Sequence, residues 1–151
     1  MLFPILILLD QSVKYLIRSW GGFYICNPHI SFGIVLPSFL FWSLWVILIT
    51  FLIYLYFNIN NVHGYASLKK YSALGALKSI IKQSPLGKEK ANLLGLTFIL
   101  SGAISNALDR LSLGCVIDFI NLKIWPVFNL ADVFIFFGAI ILLSTTFKNK
   151  R

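Results

Sequence analysis

The sequence predicts an all-α polytopic membrane protein with four transmembrane helices, both termini on the inner side, and a small β-structure on the outer face. The chain is 58% hydrophobic, with a mean hydropathy of +0.84. Only 12% of its residues are charged, about half the share of an average soluble domain. The basic residues give a net charge of +8, but most lie in short blocks beside apolar segments, as topology signals do. We therefore expect one membrane-embedded domain, 1–151, and no nucleic-acid partner.

The first predicted span, 2–20, is the least apolar of the four. Asp10, Lys14 and Arg18 interrupt it. No basic residue precedes its apolar stretch and no small-residue cleavage site follows it, so we expect a retained transmembrane helix and not a signal peptide. Asp10 and Lys14 are four residues apart with the acid first, which favours an ion pair on one helix face. Each charge then lowers the cost of burying the other. Alternatively, Lys14 or Asp10 contacts a substrate or orients a neighbouring loop.

The segment that follows, 21–38, contains no Lys or Arg and is predicted to lie outside. Turn residues separate two runs rich in β-forming residues, 23–26 and 30–36, which predict a small sheet or hairpin. Cys26 would then lie on the same side as Cys115 of the second outer loop. Either a disulfide in an oxidising compartment or two small buried thiols fits the sequence.

Three further segments are long and apolar enough to cross a bilayer, which takes about 20 residues. They are 39–57, 91–108 and 131–147. The inner loop 58–90 separates the first two of them, and the outer loop 109–130 separates the last two. Apolar residues in the inner loop recur at helical spacing between lysines, so that either a basic amphipathic helix on the inner leaflet or a partly ordered loop is consistent with it.

Acidic residues are few in this chain, and most of them are in positions where desolvating a carboxylate is energetically unfavourable. Four of the five lie within or at the edge of apolar segments, where a carboxylate is rare unless it is paired or used. They are Asp10, Asp109, Asp118 and Asp132. Asn106, Asp109 and Arg110 cluster on one side of the outer end of the third span, at spacings of three and four residues. Either Arg110 merely neutralises a carboxylate there, or the three residues fix a neighbouring reactive site.

Asp118 and Asp132 are the candidates for a reactive pair. Asp118 follows a short β-prone run and Asp132 opens the last span, so that both lie near the outer boundary. When two carboxyl groups share a site, repulsion and desolvation raise one pKa, which leaves one acid and one base near neutral pH. Such a pair can activate a water against an amide carbonyl without a metal. No metal-ligand spacing is seen, and no cofactor is expected.

Three other interpretations of these acids remain open. In the first, Asp132 only stabilises a helix N-terminus and Asp118 is solvated. In the second, the intramembrane acids carry protons in a small proton-coupled transporter or channel. In the third, the chain is a non-catalytic membrane scaffold whose polar residues hold its helices together.

Five short motifs occur in order over most of the chain. They are Asp10-Gln-x-x-Lys14, Asn27 with Phe32-Gly33, Asn106-x-x-Asp109-Arg110, Gly114-x-Val-x-Asp118-Phe119 and Phe128-Asn129-x-Ala-Asp132. Together they resemble the motifs of the bacterial lipoprotein signal peptidases (signal peptidase II). Ser101 and Ser105 depart from the family pattern, because they stand where the family has glycines.

The resemblance implies an aspartyl endopeptidase of the bacterial inner membrane, with its active site near the extracytoplasmic face and a β-sheet cradle there. It implies removal of signal peptides from diacylglyceryl-modified prolipoproteins by cleavage before the lipidated cysteine. Prolipoprotein and membrane lipid are then the expected partners of a monomer. Asp118 and Asp132 fall on the catalytic positions. The positions that support them or bind substrate are occupied by Asn27, Asn106, Arg110 and Asn129, and further support is expected from Asp10, Lys14 and Asp109.

Overall fold

Four helices and two short strands make up the part of the chain that the computed structural model describes, residues 2–28, 37–70 and 86–147. This mostly helical fold with a small sheet agrees with the predicted class. In chain order the elements are α1 (Leu2–Ser19), β1 (Ile25–Asn27), α2 (Ser38–Lys70), α3 (Leu86–Leu113), β2 (Val116–Asp118) and α4 (Leu130–Phe147).

Three of the helices are long and apolar enough to cross a membrane. The spans are Phe39–Asn58 in α2, Lys88–Leu113 in α3 and Leu130–Phe147 in α4. They confirm a multi-pass membrane protein. α1 is different, because three of its 18 residues are charged.

α2 and α3 both extend into the predicted inner loop, 58–90. α2 continues to Lys70, past the predicted end of its span at Phe57, and α3 begins at Leu86, ahead of the predicted start at Ala91. Hydropathy marks where a helix leaves the apolar core, and a helix can continue beyond that point into water. The rest of the loop, including most of the predicted amphipathic helix, lies outside the described residues.

β1 and β2 form a two-stranded antiparallel sheet, which confirms β-structure in both of the segments that are predicted to lie outside. The pairs are Ile25↔Asp118, Cys26↔Ile117 and Asn27↔Val116. Beyond β2 a bridge between Ile120 and Phe128 closes a hairpin that leads into α4. The sheet thus brings the segment after α1 beside Asp118. The second predicted β-run, 30–36, with Phe32 and Gly33, lies outside the described residues.

α3 is the central helix of the described fold, with α1, α2 and α4 packed against it. An apolar cluster joins it to α2; its buried members are Ile49, Leu52, Leu96 and Leu100. The contact with α4 is closest, because Gly102 faces the backbone of Ala131 and a Cβ at Gly102 would clash with that carbonyl oxygen. Small residues permit such close approach in lipid. The first turn of α4, which carries Asp132, is thereby fixed against α3.

Candidate active site

Lys14 lies between two buried carboxylates from different helices. Its Nζ is 2.7 Å from Oδ2 of Asp10 and 2.7 Å from Oδ2 of Asp109. The predicted Asp10–Lys14 ion pair is therefore present, and Asp109 is a second partner that spacing along one helix could not reveal. Lys14 also donates to Oδ1 of Asn106 at 3.1 Å. The single ammonium group offsets part of the cost of burying both acids.

Asp10 also holds the beginning of α4. Its Oδ1 accepts a hydrogen bond from the backbone N–H of Ala131 at 3.0 Å, and its Oδ2 accepts one from Oγ of Ser105 at 2.7 Å. The N–H groups of a first helical turn lack partners within the helix, and a carboxylate there is favoured by the helix dipole. α1 therefore fixes the residue that directly precedes Asp132.

Asn129 caps α4 and connects the two candidate acids. Its Oδ1 accepts a hydrogen bond from the backbone N–H of Asp132 at 3.0 Å, while Oδ2 of Asp132 accepts one from the backbone N–H of Asn129 at 3.2 Å. This reciprocal pattern is a capping box. The Nδ2 of Asn129 donates to Oδ1 of Asp118 at 2.6 Å and to Oδ1 of Asn106 at 3.1 Å. One fully buried residue thus donates to both carboxyl groups, from its side chain to Asp118 and from its backbone to Asp132.

A further amide group donates to each of the two carboxyl groups. Asn27 of β1 donates from Nδ2 to Oδ2 of Asp118 at 3.0 Å. Asn106 of α3 donates from Nδ2 to Oδ1 of Asp132 at 2.8 Å. All four carboxyl oxygens therefore have a donor from the protein. Asp118 is buried, whereas Asp132 is partly exposed, so the pair is reachable from the side of Asp132.

The pKa of the Asp118 carboxyl is raised above its ordinary value, chiefly by burial. The hydrogen bonds from Asn27 and Asn129 stabilise the anion and oppose this rise, whereas the charge of Asp132 adds to it. A carboxyl group with a raised pKa keeps its proton to higher pH than an exposed one. A carboxyl group in this environment can act as a proton donor.

Arg110 lies beside the pair, half-buried. Its guanidinium carbon is 5.1 Å from the ring centroid of Phe41 on α2, which is within cation–π distance. Its Nη1 donates to the backbone oxygen of Asn106 at 3.3 Å, and the charges of Asp118 and Asp132 act on it. A guanidinium held in this way can donate to a carbonyl or carboxylate oxygen of a ligand.

Gln11 and Ser105 complete the polar network, and sequence reasoning missed both. Nε2 of Gln11 donates to Oγ of Ser105 at 3.0 Å and to Oδ1 of Asp109 at 2.8 Å. Their spacing carries a signal, since Ser105 lies one helical turn before Asp109 and Gln11 follows Asp10. The serine that replaces a family glycine thus donates its hydroxyl group to Asp10 and accepts a hydrogen bond from Gln11.

Cys26 and Cys115 form a disulfide, with their Cα atoms 5.4 Å apart. This decides between the two alternatives that the sequence left open. Cys26 is in β1 and Cys115 directly precedes β2, so the bond ties the two strands together. In the ranges that the structure describes, no three His, Cys, Asp or Glu side chains are grouped so that they could hold a metal ion.

Comparison with protein families gives one match over nearly the whole chain. The model of the Peptidase_A8 family, signal peptidase (SPase) II, matches residues 2–148. The lipoprotein signal peptidase of Moorella thermoacetica is 34% identical over 149 residues, which cover 89% of this chain and 82% of that protein. The lipoprotein signal peptidase of Halothermothrix orenii is 31% identical over 163 residues, which cover 97% of this chain and 93% of that protein.

Two solved structures of bacterial membrane enzymes have a similar fold. One gives a TM-score of 0.63 at 20% identity and covers 95% of this chain and 88% of that structure. The other gives a TM-score of 0.57 at 20% identity, with 97% and 85% covered.

Proposed function

The chain belongs to the signal peptidase II family, the aspartic peptidases that remove signal peptides from prolipoproteins, and we propose that Asp118 and Asp132 are its two catalytic carboxyl groups. The observation that carries this proposal is the buried residue Asn129, whose Nδ2 donates to the carboxyl of Asp118 and whose backbone N–H donates to the carboxyl of Asp132. Membership of this family decides against the proton-coupled transporter or channel.

In the proposed mechanism Asp132 acts as the base and Asp118 as the acid. Asp132 takes a proton from a water molecule, which attacks the carbonyl carbon of the scissile peptide bond. Asp118, the less solvent-accessible of the two residues, donates its proton to the carbonyl oxygen. When the tetrahedral intermediate collapses, Asp132 gives the leaving amine the proton that it accepted, and Asp118 takes a proton back from a hydroxyl group of the intermediate as the product carboxyl forms. The two acids exchange protonation states during each turnover, as a coupled pair does.

The surrounding residues are assigned supporting and binding roles. Arg110 donates to a backbone oxygen of the substrate, because its guanidinium lies beside the acids. Asn27, Asn106 and Asn129 orient the carboxyl groups by the hydrogen bonds already described. The remaining three residues hold the first turn of α4 and the outer end of α3 from within the bundle; they are Asp10, Lys14 and Asp109.

We further propose four transmembrane helices, with both termini inside and the active site near the extracytoplasmic face of the bacterial plasma membrane. The Cys26–Cys115 disulfide beside the site supports an oxidising compartment on that side. Trp20, which follows α1, is 81% exposed, as interfacial indoles often are. Two lysines, Lys88 and Lys90, lie at the opposite end of α3 from the site, as the positive-inside rule requires.

The substrate is proposed to be a prolipoprotein that carries a diacylglyceryl group on the cysteine after the cleaved bond. The lipid would reach the site from the bilayer, so that a monomer suffices. The purified chain in lipid bicelles should cleave the modified precursor before the modified cysteine. It should cleave the same precursor without its diacylglyceryl group at a rate at least about tenfold lower. Mass spectrometry of the products measures both. If the modified precursor is left intact, the proposed function is wrong.

The pH profile offers a second test, through Asn27. Activity that needs a proton on Asp118 is complete below the raised pKa and is lost as the pH rises through it. Asn27→Ala removes a hydrogen bond that stabilises the anion, which raises the pKa of Asp118 further. The alkaline limb of kcat/KM should therefore move to higher pH.

Asn58→Ala is the matched control for this test, because Asn58 is exposed on α2, away from the site. Its pH profile should equal that of the unaltered chain. An alkaline limb that stays in place or moves to lower pH in Asn27→Ala would contradict the assignment of Asp118 as the proton donor.

A further inference from the structure

We propose that the Cys26–Cys115 disulfide positions Asn27 on Asp118, so that peptidase activity depends on the oxidised state of these two cysteines. The inference rests on the proposed catalytic role of Asp118. Cys26 and Cys115 are positioning residues in this view, because neither is argued to touch the substrate. They are also the only cysteines of the chain.

The disulfide joins the two strands that hold the Asn27–Asp118 contact. Cys26 directly precedes Asn27 in β1, and Cys115 directly precedes Val116, the residue that pairs with Asn27 across the sheet. The bond therefore lies next to the residue pair from which the Nδ2 of Asn27 reaches Oδ2 of Asp118 at 3.0 Å. A displacement of β1 at this point changes that contact directly.

β1 has little burial of its own to keep it in place. Its first two residues, Ile25 and Cys26, are exposed and only Asn27 is half-buried, whereas all three residues of β2 are buried. An isolated pair of three-residue strands is marginally stable. The covalent link spans 89 residues of sequence, and closing so long a loop restricts the open states of the chain. The disulfide is thus well placed to hold the exposed strand on the buried one.

Reduction would release this strand by a balanced exchange. A dithiol reductant transfers two electrons and two protons to the S–S bond, is itself oxidised to a disulfide, and leaves two thiols on the protein. β1 then has no covalent tie to β2. The hydrogen bond from Asn27 to Asp118 is then formed for only part of the time, while Asp118 stays buried in β2.

The loss of that donor has a signature that a general loss of stability lacks. The other charged groups that act on Asp118 are Asp132 of α4, Lys14 of α1 and Arg110 of α3, and none of them is in β1. Reduction should therefore leave their effects in place and remove only the stabilisation of the anion by Asn27. The alkaline limb of the pH profile should move to higher pH, as in Asn27→Ala.

The experiment compares the oxidised enzyme in bicelles with the same enzyme in dithiothreitol and with Cys26→Ser/Cys115→Ser. The substrate is the diacylglyceryl-modified precursor. Reduction and the double substitution should each lower kcat/KM about tenfold, the effect of one lost hydrogen bond to a reacting group. Both should move the alkaline limb upward. The doubly substituted chain should not respond to dithiothreitol. Re-oxidation of the reduced, unsubstituted enzyme should restore its cleavage rate, and this measurement remains informative if the doubly substituted chain fails to fold.

Asn27→Ala shows whether the disulfide acts through Asn27. In this variant, reduction should change kcat/KM by less than about twofold, because the contact is already absent. The inference is overturned if the oxidised chain cleaves its substrate and reduction changes neither its rate nor its pH profile. It is also overturned if reduction lowers only the melting temperature. An oxidised chain that does not cleave at all would instead remove the proposed function, and this inference with it.

Discussion

Asp118→Asn and Asp132→Asn should each lower the rate of prolipoprotein cleavage by about 10⁴-fold, while the chain still folds and inserts into the membrane. An amide group has nearly the size of a carboxyl group, and its single oxygen can still accept one of the two hydrogen bonds that each carboxyl group receives. It can neither ionise to activate a water nor hand over an acidic proton. Loss of one member of a catalytic group costs on the order of 10⁴-fold or more in other proteases. Single-turnover cleavage followed by mass spectrometry measures the effect.

Glu89→Gln is the matched control, because it neutralises the one acidic residue outside the site. Glu89 lies in the first turn of α3, at the opposite end from Asn106 and Asp109. Its rate should equal that of the unaltered chain, and all three variants should keep the same melting temperature within a few degrees. Processing retained by either aspartate variant would show that the pair is not the catalytic group.

Lys14→Met should lower the free energy of unfolding by about 3–5 kcal/mol. Methionine has nearly the length of lysine, so that packing is kept and the charge is lost. Asp10 is fully buried and Asp109 is only 2% exposed. Without Lys14, these two buried carboxylates would lose the ammonium group that they share. Thermal unfolding in detergent and the yield of folded protein measure the effect. Activity should fall together with stability, because Asp10 holds the first turn of α4.

Lys90→Met controls for the loss of a lysine, because Lys90 is exposed at the other end of α3. It should unfold at the temperature of the unaltered chain. Adding Asp109→Asn to Lys14→Met should recover part of the lost stability, since only one buried carboxylate then lacks a cation. The proposed charge balance would be contradicted if Lys14→Met were as stable as Lys90→Met.

The fold could be predicted where hydropathy and turn chemistry carry it. The apolar segments gave three spans in α2, α3 and α4, and the β-prone runs gave both strands. The ends of α2 and α3 could not be found in this way, because a helix continues into water without a change in backbone pattern. The first predicted helix, 2–20, agrees with the bounds of α1 even though that helix carries three charges.

The residues of the site were more predictable than the hydrogen bonds and ion pairs between them. Acids in costly positions singled out Asp118 and Asp132, and the motifs supplied the asparagines around them. Spacing along one helix predicted the Asp10–Lys14 pair. It could not predict that Lys14 also binds Asp109, or that Asp10 caps α4 at Ala131, because these contacts join residues distant in sequence. The disulfide was left open for the same reason, since only the register of the sheet places Cys26 beside Cys115.

The central claim is that Asp118 and Asp132 act as one unit, and a double-mutant cycle on cleavage tests it most directly. Single-turnover rates would be measured for the unaltered chain, for Asp118→Asn, for Asp132→Asn and for the chain with both substitutions. If the two carboxyl groups serve one reaction step, the doubly substituted chain should be no slower than the slower single variant, because either substitution already removes the pair's function. Rate losses that multiply in the double variant would mean that the two carboxyl groups act independently, and would contradict the account.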